Sequence, residues 1–431
     1  MARRAREALA NLLADPALAA LREVLAAEGA RAWIVGGAPR DLVLHREVGE
    51  VDLAVDGDAG RIARRMESLG RGRAVFLSGQ RSPRVFRIAG RGRTLDLAEI
   101  EGGSIGADLA RRDFTANAVA VDVATGELLD PFGGLADLAA KRLRPVAEKN
   151  LADDPLRALR AARLLATHGL MPDRVTSRAS RKSAPALARV ARERVQAELD
   201  KLLGARRAVP ALAWAAGVGL FASAFGLRVS PGRARAAARA LAPLDAPALD
   251  RAPAERRRRL RLALLARRLG IGGSAAAAWL RGLRWGTDEA STVARLLVLA
   301  DRARRNPKGD DAWRWLLDAG DDAPDVLRLL EASDPGASAV SRRLRALARG
   351  RRAIPNVRGS DVLEWLGIPP GPEVGKLLEA VRVEALAGRI TSVGEARDWL
   401  RRRGTTAQGS SGGRGRAKAC PRRPRGSPFR L

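Results

Sequence analysis

Almost every segment of this chain that looks like a β-strand falls between Ala32 and Leu129. Short runs rich in Val, Ile and Leu, at 32–35, 51–55, 73–77, 84–89, 94–98 and 118–123, are cut by Gly and Arg. That is the punctuation of strands joined by turns. Helical spacing interrupts them near 39–45 and 58–69. After Pro131 the texture changes, and residues 141–403 become Ala/Leu/Arg patterns at helical period, separated by Gly and Pro. One sheet therefore has to be built early, and almost everything after it is helix. The sequence predicts an α+β head with a mixed sheet, followed by all-α regions.

At 431 residues the chain exceeds what one core organises, and its 46% hydrophobic content excludes a disordered protein. Lys+Arg 78 against Asp+Glu 48 leaves a net charge of +30, which favours a polyanionic partner, nucleic acid or anionic membrane. The membrane reading has one candidate, the uncharged 20-residue stretch 208–227. Its Ala/Gly content and Pro210 read instead as a buried helix–turn–helix, so no membrane association is expected. Cys420 is the only cysteine, so neither a disulfide framework nor a Cys-based zinc site is available, which fits a reducing cytoplasm. With only His45 and His168, a His-rich metal site is excluded as well. Chemistry here falls to carboxylates.

The stretch WIVGGAPRDLVLHREVGEVDLAV, 33–55, concentrates such groups. Gly36-Gly37 ends an apolar run, where glycines admit a ligand close to the backbone and leave N–H groups pointing outward, a seat for phosphate. Arg40 follows with a fork of donors suited to phosphate oxygens. Taken alone, a glycine pair after a strand is an ordinary turn. Glu50 and Asp52 alter the balance, because positions i and i+2 of a strand face the same way. Like charges held that close repel unless a cation sits between them, and carboxylate oxygens suit Mg²⁺. Asp96, within RTLDLAEIEGG, offers a third acid on a neighbouring run. Three carboxylates could hold two ions roughly 4 Å apart, activating a hydroxyl and steadying a leaving phosphate. For each acid taken singly, a carboxylate facing solvent from an edge strand is the simpler reading.

The string LARRDFTANAVAVD, 109–122, crowds Arg111, Arg112, Asp113, Thr115 and Asn117 together ahead of another strand, poor material for a core. It resembles the second signature of the tRNA nucleotidyltransferase and bacterial poly(A) polymerase family, the second class of CCA-adding enzymes. The glycine turn and acid pair resemble the family's first signature. LLDPFGGLADLAAKRLRPV, 128–146, resembles the link from catalytic head to neck, and ADDPLRALRAARLLATHGL, 152–170, the signature that selects the base. RGSDVLEWLGIPPGPEVGKLLEAVRVEALAGRI, 358–390, is similar to the family's tail. The resemblance spans about residues 30–403, in the family's order.

The resemblance implies a nucleotidyltransferase-type head at 1–140, a neck at 141–205, a body at 206–350 and a tRNA-binding tail at 351–403. The Gly/Ser/Pro-rich basic segment 404–431 is expected to be disordered. Gly36, Gly37 and Arg40 would hold the triphosphate of CTP or ATP, and Glu50, Asp52 and Asp96 would be catalytic and hold Mg²⁺. Arg111, Asp113 and Asn117 would shape the ribose and phosphate side, while Asp154 and Arg157, sharing a helix face, would read the base. The nucleotide pocket would extend to Asp41, Arg112, Arg160 and Arg163. Asp153 is the expected helix cap before Pro155. The partner would be tRNA, with the enzyme a monomer or homodimer.

Three departures from the family pattern stand out. The acid pair begins with Glu50 where the family has Asp, and Asp153 stands where it often has Glu. Only 14 residues, 97–110, separate Asp96 from Arg111, where enzymes that complete the CCA end carry a longer loop. That shortening resembles enzymes adding only the two cytidines. Full CCA addition, CC addition, A addition, poly(A) synthesis and a non-catalytic RNA-binding relative all remain open at this point.

Overall fold

The computed structural model describes residues 3–78, 83–90 and 93–408. The part of the basic segment at 409–431, expected to be disordered, lies outside the described residues. The chain divides into two compact units, Met1–Val298 and Leu299–Leu431.

The first unit opens with helices α1 (Arg3–Leu13) and α2 (Pro16–Glu28). Local signals bound α2: the Asp15 side chain caps it, Pro16 sits at its first position and Gly29 ends it at φ +61°. Then follow β1 (Arg31–Val35), α3 (Gly37–Val43), β2 (Val51–Asp56), α4 (Ala59–Ser68), β3 (Arg73–Ser78), β4 (Val85–Ala89) and β5 (Leu95–Glu99). A short helix α5 (Ile105–Ala110) leads to β6 (Ala120–Asp122) and β7 (Leu128–Leu129). The seven strands form one sheet in the order β3-β4-β5-β2-β1-β6-β7. β2 and β5 pair in parallel and the remaining neighbours are antiparallel, the mixed sheet expected from the sequence.

Alternation along the strands builds two layers. Ile34, Leu53 and Leu97 pack on one face with Leu18 and Leu21 of α2 and Ile62 and Met66 of α4, all essentially buried. Burying each such side chain contributes about 2 kcal/mol. Trp33, Val35 and Ala54 look the other way and pack with Leu109 and Ala118. Asp52 therefore falls on this second face, toward the segment carrying the 111–117 polar string.

The sheet gives way to α6 (Gly134–Ala139), α7 (Glu148–Asp153), α8 (Leu156–His168), α9 (Arg174–Ser183) and α10 (Arg192–Gly204). The uncharged stretch forms α11 (Ala208–Gly217) and α12 (Leu220–Phe225), turned at Gly219 with φ +84° and burying Leu212, Phe221 and Phe225. This is the buried helix–turn–helix expected, and no helix among the described residues is long and apolar enough to cross a membrane. Two-residue strands β8 (Arg142–Leu143) and β9 (Met171–Pro172) pair in parallel inside the helical region. They are too short to leave a period-2 signature in sequence.

The second unit is helical. Its core gathers Val362, Val374, Val381, Ala385, Ala396 and Leu400 from helices Gly359–Leu366, Pro372–Leu386 and Val393–Gln408.

Candidate active site

β1 runs into Gly36, whose φ of +71° is free of strain only for glycine. Space forces the same choice, since a Cβ there would lie 2.9 Å from Asp52 Oδ2. The chain thus turns directly across the Asp52 carboxylate. Arg40, one turn into α3, is buried with its guanidinium already oriented. Its Nη1 donates to Asn117 Oδ1 at 2.7 Å, and its Nε and Nη2 donate to the two carboxylate oxygens of Asp41 at 3.0 and 3.1 Å.

The 111–117 loop is pinned from behind. Thr115 donates to Asp137 Oδ2 at 2.6 Å, and Asp137, fully buried in α6, also takes Arg142 Nε at 2.6 Å and Arg144 Nε at 2.9 Å. Gly134 has no room for a Cβ, which would meet Thr115 O at 2.2 Å. The Asn150 amide of α7 donates to the carbonyls of Ala110 and Arg112 at 2.9 and 2.7 Å. In front of this support Asp113 accepts from Asn117 Nδ2 at 2.9 Å and from the Phe114 N–H at 2.8 Å.

Helix α8 supplies the opposite wall. Arg157, Arg160 and Arg163 recur every three residues on one face, while Leu156, Leu159, Leu164 and Leu165 are buried. Arg160 Nε lies 2.9 Å from Asp113 Oδ2, but the contact lacks hydrogen-bond geometry, so both atoms keep bonding capacity beside the cavity. Burial pushes the Asp113 carboxyl up, yet the Arg160 charge and the bonds from Asn117 and Phe114 hold it below the usual carboxylate value. Burial lowers the Arg163 guanidinium, opposed by Glu198, which accepts from its Nε at 2.5 Å.

Between these walls lies a cavity of about 370 Å³. Gly36, Gly37 and Asp52 line it from the strand ends, Arg112, Asp113 and Asn117 from the loop, and Arg40, Arg157, Arg160 and Arg163 from the helices. Five guanidinium groups therefore face two carboxylates. Such a cavity can hold a compact polyanion of the triphosphate class.

Every lining residue is one expected from the sequence, but Glu50, Asp96, Asp41, Arg111 and Asp154 lie outside the lining. Arg111 is turned to Glu101. Asp41 serves Arg40 and His168 Nε2, the latter at 3.0 Å. Asp154 accepts from the Leu156 N–H at 3.1 Å and from Arg194 Nη2 at 2.7 Å. Asp154, not Asp153, thus caps α8; Asp153 ends α7 instead, because Asp154 and Pro155 separate the two helices. Of the expected base-reading pair, only Arg157 reaches the cavity, where its Nη1 also donates to Asn150 O at 3.1 Å.

The acids were expected to surround ions as a group of three, and among the described residues no such group of His, Cys, Asp or Glu is formed. Asp52 and Asp96 do stand opposite one another on parallel strands. Arg87 of β4, paired in register with Asp96, lays its Nε and Nη2 on the two Asp96 oxygens at 2.8 and 2.7 Å and comes within 3.6 Å of Glu50, which is largely exposed. Arg87 therefore supplies positive charge to Asp96 and Glu50, two of the three expected ion ligands. Burial, then the neighbouring Asp96 charge, pushes the Asp52 carboxyl above its usual value against the pull of Arg112. The hard carboxylate oxygens of Asp52 and Asp96, which repel one another, suit a divalent ion of the Mg²⁺ class, so the donor chemistry fits. Arg87, Asn150, Arg194 and Glu198 carry no motif signal. Arg87 alone was open to inference, as a cation one strand from an acid.

Comparison with known proteins agrees with this geometry. The family model described as "Poly A polymerase head domain" matches residues 80–144, and that described as "Probable RNA and SrmB- binding site of polymerase A" matches 160–225. The CC-adding tRNA nucleotidyltransferase of Geobacter sulfurreducens is 31% identical over 432 residues, covering 88% of this chain and 93% of the relative. The CCA-adding enzyme of Geobacillus stearothermophilus is 33% identical over 405 residues, covering 88% and 95%. The crystal structure of the Bacillus stearothermophilus CCA-adding enzyme in complex with CTP superposes with a TM-score of 0.70 at 27% identity, covering 95% of this chain and all of that one. With relatives above 30% identity along nearly the whole length, the chain belongs to the tRNA nucleotidyltransferase family of CC-adding and CCA-adding enzymes.

Proposed function

We propose that the chain adds C, A or both, from CTP and ATP, to the 3′ end of tRNA without a template. The cavity in which five arginines surround a glycine turn and open onto Asp52 carries this reading. Guanidinium forks match phosphate oxygens, and Arg40, already oriented by Asn117 and Asp41, loses little freedom on binding. Asp113 and Asn117 take the ribose side. Arg157, with Asp154 at the foot of the same helix, provides the donor and acceptor for reading a base edge. Bound Mg²⁺ would make the attacking 3′-hydroxyl easier to deprotonate and neutralise phosphate charge. We assign its binding to Asp52 and Asp96, with Glu50 beyond them and Arg87 leaving Asp96. The net charge of +30 supports contact of residues 141–403 with the phosphates of tRNA, and a cytoplasmic setting follows from that substrate.

CC addition alone is favoured by the short link between Asp96 and Arg111, much of it taken up by the Ser104-capped helix α5. Incorporation on tRNA ending at its discriminator base, with CTP alone, ATP alone and both, separates the outcomes. Two cytidines from CTP with no adenosine from ATP identify CC addition. A further adenosine identifies CCA addition, and an adenosine tail from ATP alone a poly(A) polymerase. Binding of tRNA without any incorporation would favour a non-catalytic relative.

A further inference from the structure

A second cavity, of about 700 Å³, lies at the other end of α8. Arg46, Lys141, His168, Arg206, Arg207 and Arg257 line it, and no acidic side chain does. Some of these cations are engaged by helix-end carbonyls: Arg46 donates to Thr167 O, and Arg257 Nε donates to Gly204 O at 2.7 Å. Lys141, Arg206 and Arg207 have no carboxylate partner among the described residues. Burial and the adjoining Arg206 charge hold Arg257 below its usual value, against the weaker opposing pull of Asp250. A large concave surface with several guanidinium groups and no acid suits an anion with many oxygens.

The cavity also connects to the nucleotide-sized one. Thr167 Oγ1 donates to Arg163 O at 2.7 Å and lies 2.7 Å from His168 Nδ1, so it can only accept from that nitrogen. His168 Nε2 faces Asp41 Oδ1 at 3.0 Å, and Asp41 in turn holds Arg40. Both ring nitrogens thus face acceptors, an arrangement a neutral imidazole satisfies only once. Burial, with the charges of Arg40 and Arg46, keeps the ring from taking its second proton readily.

We propose that this basic cavity is a second phosphate-binding site, distinct from the nucleotide cavity and joined to it through His168, Asp41 and Arg40. A polyanion seated against Lys141, Arg206 and Arg207 supplies the counter-charge the cavity lacks and favours the doubly bonded imidazolium of His168. Arg40 is thereby held in the orientation it presents to the first cavity. The site stands on its own geometry; only the consequence for nucleotide binding rests on the function proposed above.

With two histidines in the chain, imidazole NMR reads His168 directly. The full-length protein is first saturated with CTP and then titrated with inorganic tripolyphosphate. A saturable shift of the His168 ring signals is expected. In Arg206→Glu/Arg207→Glu the affinity read from that shift should fall by at least about tenfold. Arg206→Gln/Arg207→Gln should lose less, with CTP affinity within twofold of wild type in both. A short acceptor-stem RNA hairpin in place of tripolyphosphate tells the source. Displacement of tripolyphosphate by the hairpin assigns the site to RNA phosphates, and independent binding assigns it to a free polyphosphate. His168 signals unmoved by either ligand, or moved equally in the charge-reversed protein, overturn the proposal. Failure of CTP to bind at all would count against the nucleotide cavity and leave this site untouched.

Discussion

Arg87 on β4 and Asp96 on β5 are paired in register and joined by two hydrogen bonds, 2.8 and 2.7 Å long, so a guanidinium fork already neutralises the acid beside Asp52. Under the proposed function, a divalent ion entering between Asp52 and Asp96 would compete with that fork.

Removing the competitor should tighten ion binding. Arg87→Gln is expected to bind Mn²⁺ about three- to tenfold more tightly than wild type, since an opposed charge is gone while both carboxylates stay. Titration of Mn²⁺ followed by electron paramagnetic resonance measures it without any turnover. Unchanged or weaker binding would mean Arg87 organises the acids rather than occupying their cation position.

Asp52 makes a pH-dependent contribution whose sign is fixed by its raised pKa. The folded state keeps the Asp52 proton to higher pH than the unfolded chain, so stability falls as pH rises from the usual carboxylate value through the folded one. Asp52→Asn removes this penalty. In the absence of metal its Tm should exceed that of wild type at pH 7, and the gap should close below about pH 4, where both forms are neutral. Thermal melts from pH 3.5 to 7.5 read this directly.

Asp113 behaves in the opposite sense. Its lowered pKa means stability that is present above the usual carboxylate value and lost as pH falls through the folded one. Asp113→Ala leaves Arg160 beside Arg157 without the acid that both face, while Arg163 keeps Glu198. Denaturant unfolding at pH 7 should show a loss of about 3 kcal/mol, the low end for a broken buried pair because Arg160 is partly exposed. At pH 3 the difference should shrink.

Much of the site was legible because its chemistry is local in sequence. Gly36-Gly37, the 111–117 string and the three-residue spacing of Arg157, Arg160 and Arg163 each place their groups through one turn, one loop or one helix face. Contacts that depend on chain crossing left no such trace. Arg87 meets Asp96 because β4 lies beside β5, and Arg194 takes Asp154 across 40 residues. The three acids form no single group among the described residues: strand spacing sets Glu50 and Asp52 on one face, but nothing in that spacing shows which cation the neighbouring strand delivers. The capping assignment missed by one residue, because the break between α7 and α8 falls at Asp154-Pro155 rather than before it.

Arg160 distinguishes guanidinium recognition from bulk charge. Arg160→Ala should weaken CTP binding by about tenfold or more, and Arg160→Lys should recover only part of it, since an ammonium lacks the planar fork. Calorimetric titration with CTP, without metal, separates binding from turnover. Full recovery by lysine would reduce the role of Arg160 to simple charge.

The proposed function requires Asp52 at the reacting end of a nucleotide cavity and tRNA as the acceptor of the nucleotide. Single-turnover incorporation of labelled CTP into tRNA ending at its discriminator base, by wild type and by Asp52→Asn, tests it most directly. Wild type should extend the RNA by two cytidines, while the variant binds CTP and tRNA but is slower by about a thousandfold or more. Equal extension by the two proteins, or no extension by wild type despite bound tRNA and Mg²⁺, would rule out this role of Asp52.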